Sequence, residues 1–150
     1  MTTSKKFTFN LTRKTGKNNT LPKGNQILNS NDRMHHYVKG QITSYLRELG
    51  HAVVTEQEGI LWEPIYTVNK PCQILVTIHP PSKRRIDPPN LYPTIKALID
   101  GMTDAHMWDD DDSDTIKMMS FTKGKITSNK QYKITIEVTG IQNDTNNIRI

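Results

Sequence analysis

Cys72-Gln73-Ile74-Leu75-Val76-Thr77-Ile78-His79-Pro80-Pro81 and, after a basic turn, Asn90-Leu91-Tyr92-Pro93-Thr94-Ile95-Lys96-Ala97-Leu98-Ile99-Asp100-Gly101-Met102-Thr103-Asp104-Ala105 decide the fold. The first run is rich in β-branched residues and is closed by two prolines, which predicts a strand over 72–79. In the second, Leu91, Ile95, Leu98, Met102 and Ala105 fall on one helical face and Pro93 sits in the first turn, where a missing N–H costs nothing, so a helix runs from Asn90 or Tyr92 to Ala105. Lys96 and Asp100 are four residues apart and share a face. Working outward, 115–122 and 131–139 alternate apolar and polar residues and predict a hairpin around Lys123-Gly124-Lys125. Toward the N-terminus, Ser30-Asn31-Asp32 offers caps for a first helix over 33–49, with Met34, Tyr37 or Val38, Ile42, Tyr45 or Leu46 and Leu49 in its stripe and Gly50 as its stop. Residues 52–55 and 60–68 have strand composition, the second pushed to an edge or bulge by Pro64, and 7–12 alternates as a half-buried strand. The 13–29 stretch reads as a long basic loop ordered by a partner, and 140–150 as a polar tail. The expected architecture is α+β: a mixed β-sheet with the two main helices packed on one face.

A chain of 150 residues with 34% hydrophobic and 23% charged residues describes one domain, 1–150, around a lean core. No apolar run approaches the ~20 residues of a membrane span. Met1–Lys6 leads into Phe7-Thr8-Phe9 and not into a signal-peptide core, and Cys72 is a lone cysteine suited to a reducing compartment, so the expected location is the cytosol. The formal charge of +5 hides a strong asymmetry: seven Asp and no Lys or Arg lie between Asp100 and Asp114, leaving 20 basic against 8 acidic residues elsewhere. A basic body attracts polyanions, and an acidic spot on it makes joint sense where a divalent cation bridges carboxylate and phosphate. The bland alternative is a solubility charge and a solvated acidic loop.

Two stretches carry candidate chemistry. Lys83-Arg84-Arg85-Ile86-Asp87-Pro88-Pro89-Asn90 puts three cations ahead of a carboxylate at a strand-to-helix junction, a phosphate station whose bland reading is an exposed basic loop. Asp109–Asp112 and Asp114 follow Trp108, which can bury while the carboxylates project; such oxygen donors suit Mg²⁺ or Mn²⁺. A calcium EF-hand fails, because Asp114 stands where Gly is needed and Ser120 where the closing Glu belongs. His35 and His36 are not an i, i+4 zinc pair, His79 and His106 are isolated, and no nucleophile elbow or phosphate-binding glycine loop is present. Trp62, Tyr66 and Phe121 read as core residues, one of which is a candidate for stacking on a base.

Taken in order, Asn31-Asp32-Arg33-Met34-His35, Arg84-Arg85-Ile86-Asp87-Pro88-Pro89-Asn90 running into Pro93–Gly101, and Ala105-His106-Met107-Trp108 followed by the aspartates resemble the RusA family of Holliday-junction resolvases, often carried by phages and prophages. The resemblance implies a homodimeric endodeoxyribonuclease that cuts four-way DNA junctions symmetrically with Mg²⁺, in the cytoplasm of a bacterial or phage-infected cell. It matches Asp87 to the first acidic ligand, Asn90 to the Asn beside it, Lys96 to the helical lysine, Asp100 to the acid beyond, and two of Asp110, Asp111 and Asp112 to the closing pair. Counting from Asp100 favours Asp110 and Asp111. The sequence departs from the family pattern at Pro89, where a second Asp is usual, and at Lys96, which follows Asn90 by six residues where three is usual. The expected set is thus Asp87, Asp110 and Asp111 as metal ligands, Lys96 beside the reacting phosphate, and Arg33, Lys83, Arg84, Arg85 and Asn90 on DNA. A non-catalytic nucleic-acid-binding protein and a nuclease for other branched DNA or RNA are the rival readings.

Overall fold

A computed structural model describes residues 4–14 and 24–142 of the chain. It contains β1 (Ser4–Leu11), α1 (His36–Glu58), β2 (Cys72–His79), a 3-10 turn (Pro88–Leu91), α2 (Tyr92–Asp104), β3 (Ile116–Lys123) and β4 (Tyr132–Gly140). The fold is α+β, as expected: a four-stranded mixed sheet in the order β1-β4-β2-β3 with two helices packed against it. Strand alternation puts Phe7, Phe9 and Leu11 of β1, Ile134, Ile136 and Val138 of β4, and Ile74, Val76 and Ile78 of β2 in the core. There they meet Ile42, Leu46 and Val54 of α1 and Ile95, Leu98, Ile99 and Met102 of α2. No helix among the described residues is long and apolar enough to cross a membrane.

The strand pairing corrects the expected hairpin. β3 and β4 are not partners: β3 lies parallel to β2 at the sheet edge, and β4 inserts between β1 and β2, antiparallel to both. The reason lies in the connection. β2 reaches β3 through α2, a β-α-β crossover that makes the two strands parallel and lays α2 on the sheet. The following loop then carries the chain past β2 to β4.

Four further expectations change. Residues 52–55 are helical, because the buried positions Ile42, Leu46, Gly50 and Val54 continue one stripe at a spacing of four. Gly50 is therefore no stop but part of the crossing between the helices. A Cβ at Gly50 would stand 2.2 Å from the Leu98 carbonyl oxygen, and one at Gly101 would stand 1.9 Å from that of Arg47. Residues 60–68 form no strand, only isolated bridges from Tyr66 to Trp108 and from Thr67 to Lys70. Trp62, expected in the core, is 86% exposed, while Tyr66 is buried.

The capping residues have another use. α1 begins at His36 with His35 as its cap, while Asp32 takes both arms of the Arg13 guanidinium at 2.5 and 2.8 Å and the Asn29 N–H at 2.8 Å. Burial pushes the Asp32 carboxyl up, but Arg13 and the Asn29 N–H outweigh it and hold the group below the usual carboxylate range. The end of the expected 13–29 loop is likewise packed: Ile27 and Leu28 are buried, and Leu28 exchanges two hydrogen bonds with the Thr94 hydroxyl on α2. Residues 15–23 of that loop and 143–150 of the expected tail lie outside the described residues. Since a depressed carboxyl stabilises the fold above its unfolded pKa and loses that contribution as pH falls through its folded pKa, Asp32→Asn is expected to cost ~1.5–3 kcal/mol near neutrality. The deficit should shrink below about pH 4; urea melts of both proteins across acid pH measure it.

Candidate active site

α2 carries the centre of the site. Lys96 lies in its second turn and Asp100 one turn later, and the Lys96 ammonium donates to Asp100 Oδ1 at 2.8 Å. The same ammonium donates to Asp111 Oδ2 on the turn leading into β3. Two carboxylates from separate elements thus converge on one cationic centre. Burial disfavours the Lys96 charge, but its two carboxylate partners more than compensate and raise its pKa above the ordinary lysine value. Asp111 shows the converse: burial pushes it up, and Lys96 pulls it further down, below the usual carboxylate range.

The turn bearing Asp111 is fixed from below. Trp108 is fully buried and its indole N–H donates to Thr103 Oγ1 of α2 at 2.6 Å. On the other side Tyr66 N–H donates to the Met107 carbonyl at 3.0 Å and Asp109 N–H to the Tyr66 carbonyl at 3.2 Å. Within the turn, Asp109 Oδ1 accepts from the Asp110 N–H, Asp110 Oδ1 from the Asp111 N–H, and Asp112 Oδ1 from the Asp114 and Thr115 N–H groups. Three carboxylates thus shape the backbone while Asp111 crosses to α2. Thr103, Tyr66 and Thr115, whose hydroxyl donates to Asp109 Oδ1, are supporting residues that the sequence reading missed. A hydroxyl five residues before a buried Trp is too common a pattern to have revealed them.

The remaining expected residues sit on the approach to α2. Asp87 precedes the 3-10 turn, its carbonyl accepting the Asn90 N–H at 2.9 Å; its carboxylate is exposed, with Arg85 Nε at 4.0 Å. The Asn90 carbonyl accepts from the Ser30 N–H and hydroxyl, so the 24–32 segment braces this turn. Lys83, Arg84 and Arg85 project from the exposed loop between β2 and the turn, and Arg33 is exposed ahead of α1. His79 and His106 are both spent on main-chain carbonyls, those of Lys125 and Leu61.

The structure therefore brings together Lys96, Asp100 and Asp111, and among the described residues no hydrogen bond or ion pair joins Asp87 to them. Among the described residues no three His, Cys, Asp or Glu side chains are gathered as metal ligands. The donor chemistry nonetheless fits a hard cation: Asp100 and Asp111 already share one positive centre, and Asp87 and Asp110 offer exposed oxygen donors on the two flanking turns.

Compared with known proteins, no family model and no curated protein matches the chain. A solved structure, thiamine monophosphate kinase from Aquifex aeolicus, aligns with 95% of this chain at 10% identity and a TM-score of 0.33. The chain spans about a third, 34%, of that kinase, and the likeness carries no inference.

Proposed function

We propose that the chain is a Mg²⁺-dependent, structure-specific endodeoxyribonuclease that resolves four-way DNA junctions, acting as a homodimer in the cytoplasm of a bacterial or phage-infected cell. The observation that carries this reading is the Lys96 ammonium held between Asp100 and Asp111, on the helix whose approach bears Asp87 and the cations Lys83, Arg84 and Arg85. Asp87, Asp110 and Asp111 would hold the ion, with Mn²⁺ as a substitute. When bound, it acidifies a water and relieves charge on the nonbridging phosphate oxygens. Asp100 keeps the Lys96 ammonium in place when Asp111 turns to other duty, so that Lys96 faces the reacting phosphate and offsets the charge that grows in the transition state. Lys83, Arg84 and Arg85, with Asn90 and Arg33, fix the flanking backbone and thereby orient the scissile bond. Two cuts placed symmetrically on a junction need two equivalent sites, which a two-fold dimer supplies.

Cleavage of a synthetic four-way junction with Mg²⁺, Mn²⁺ or chelator, beside flap, fork and RNA substrates, tests the reading; no cutting of any of them overturns it. One observation favours a non-catalytic nucleic-acid-binding protein instead: Lys96 already neutralises two of the carboxylates. Tight junction binding with no cutting in either metal would establish that alternative. Replacing Arg84 and Arg85 by Ala is expected to weaken junction binding and lower the slope of log affinity against log salt by about 2, one for each phosphate no longer neutralised. An unchanged slope removes these arginines from the backbone-gripping set.

A further inference from the structure

The acidic turn and β3 begin beside Cys72, whose N–H donates to the Thr115 carbonyl, whereas the loop after β3 begins beside Ile78. The two ends of the sheet are thus separated by the length of β2, roughly 23 Å at ~3.3 Å per residue. Three segments meet at the far end: 10–14, 79–81 and 123–133. The first and third hold two and four Lys or Arg, the second runs on into the loop with Lys83, Arg84 and Arg85, and none of the three holds an Asp or Glu.

These segments are stitched together. Gly124 N–H donates to the Ile78 carbonyl at 2.8 Å, Thr127 N–H to the Pro80 carbonyl at 2.9 Å, and the His79 ring bonds the Lys125 carbonyl at 2.9 Å. Gln131 Nε2 donates to the Thr12 hydroxyl at 3.1 Å. A Cβ on Gly124 would stand 2.3 Å from the His79 ring, so glycine is what lets the loop pass this close. The result is a fixed platform: Lys125 and Lys133 line an open depression of about 410 Å³ with Asn10, His79, Thr127 and Ser128. Among the described residues none of Lys83, Arg84, Lys123, Lys125, Lys130 and Lys133 forms an ion pair. Like charges within about a Debye length, ~8 Å at physiological salt, repel one another. Cations gathered on one face without counter-charge attract polyanions.

We propose that this end of the sheet, with Lys125, Lys130 and Lys133 at its centre, is a second nucleic-acid backbone surface at the opposite end of β2 from the acidic turn, linked to the candidate active site by the loop that bears Lys83–Arg85. It rests on the nucleic-acid reading above and not on the nuclease chemistry. Hydroxyl and amide groups among the lysines supply neutral donors for phosphate oxygens. Among the described residues no helix lies here, and the open, turn-built surface suits a phosphate backbone better than an acidic membrane.

The test compares the full chain with its Lys125→Ala/Lys130→Ala/Lys133→Ala variant by equilibrium binding to a labelled four-way junction and a linear duplex, with chelator present, from about 50 to about 200 mM salt. The salt slope should fall by about 2–3 and affinity at the lower salt by about tenfold or more, on both DNAs alike. Replacement of the same three residues by Arg should keep both near wild type, and Lys125→Gln alone should lower the slope by about 1, which keeps the test decisive if the triple variant folds poorly. An unaltered slope in a folded triple variant, while wild type binds and cuts, overturns this inference alone. Wild-type protein that binds neither DNA overturns it together with the nucleic-acid reading. Loss of binding to equimolar phosphatidylcholine and phosphatidylglycerol vesicles, with DNA binding intact, also overturns it and points to a membrane surface.

Discussion

Asp111→Asn is expected to leave a four-way junction bound but reduce its cutting in Mg²⁺ on the order of 10³-fold. Asparagine keeps the size of the side chain and one oxygen to accept from Lys96, so the turn above Trp108, held by Thr103 and Tyr66, retains its shape. What disappears is the charge, and with it one of the two anionic anchors of Lys96 and the oxygen donor proposed for the ion. Binding measured with chelator should be unchanged or slightly tighter, since a negative charge has left a surface that approaches phosphate. Asp100→Asn separates the two functions, because it removes only an anchor; a loss of about tenfold is expected there, the lower range for groups that orient others. Full cutting by Asp111→Asn removes Asp111 from the reaction. Equal losses in both variants would mean that the lysine anchor is the whole contribution of Asp111.

That pairing was only half legible in the sequence. The spacing of Lys96 and Asp100 is a local, helical fact, and it appears in the structure as a 2.8 Å ion pair. Which of four consecutive aspartates reaches Lys96 is not local: Asp109, Asp110 and Asp112 each turn one oxygen to N–H groups of their own turn, and that division depends on the backbone path between the buried Trp108 and Thr115. The fold divides in the same way. β1, β2, β4 and α2 could be read because burial on one face imposes a period of two or 3.6 on each of them. The pairing of β3 could not, because a short loop with Lys123-Gly124-Lys125 has the composition of a hairpin whether or not its flanking strands are partners. The run at 60–68 has strand composition without a strand's partners, and Trp62 and Ile60 stand exposed there. Gly50 misleads for a physical reason as well: glycine ends helices when it takes a left-handed conformation, but it also lies inside them where two backbones touch.

The contact at that crossing yields the largest expected effect on stability. Gly101→Ala would put a methyl group 1.9 Å from the Arg47 carbonyl oxygen, 2.8 Å from its carbon and 2.9 Å from the His51 nitrogen, all backbone atoms of α1 that no rotamer change can move. At an exposed helical glycine the same substitution stabilises by up to ~1 kcal/mol. Here the helices must separate by more than 1 Å to restore ordinary contact, which opens the packing of Leu98, Ile99 and Met102 and pulls on the Arg47–Asp104 pair across the crossing. A net loss of about 3 kcal/mol is expected, the upper part of the range for overpacking, with a fall in Tm of roughly 6–12 °C for a chain of this size. Gly50→Ala, whose methyl would meet the Leu98 carbonyl oxygen at 2.2 Å, should behave alike. Gly40→Ala on the same helix has nothing within 4 Å and should be neutral or stabilising, so urea melts of the three variants separate the crossing from helix propensity. Because α2 carries Lys96 and Asp100 on the turns just before Gly101, junction cutting by Gly101→Ala should fall by more than its folded fraction does. A Gly101→Ala protein as stable as Gly40→Ala would mean that the two helices do not cross backbone to backbone, and the placement of Lys96 against Asp111 would lose its support.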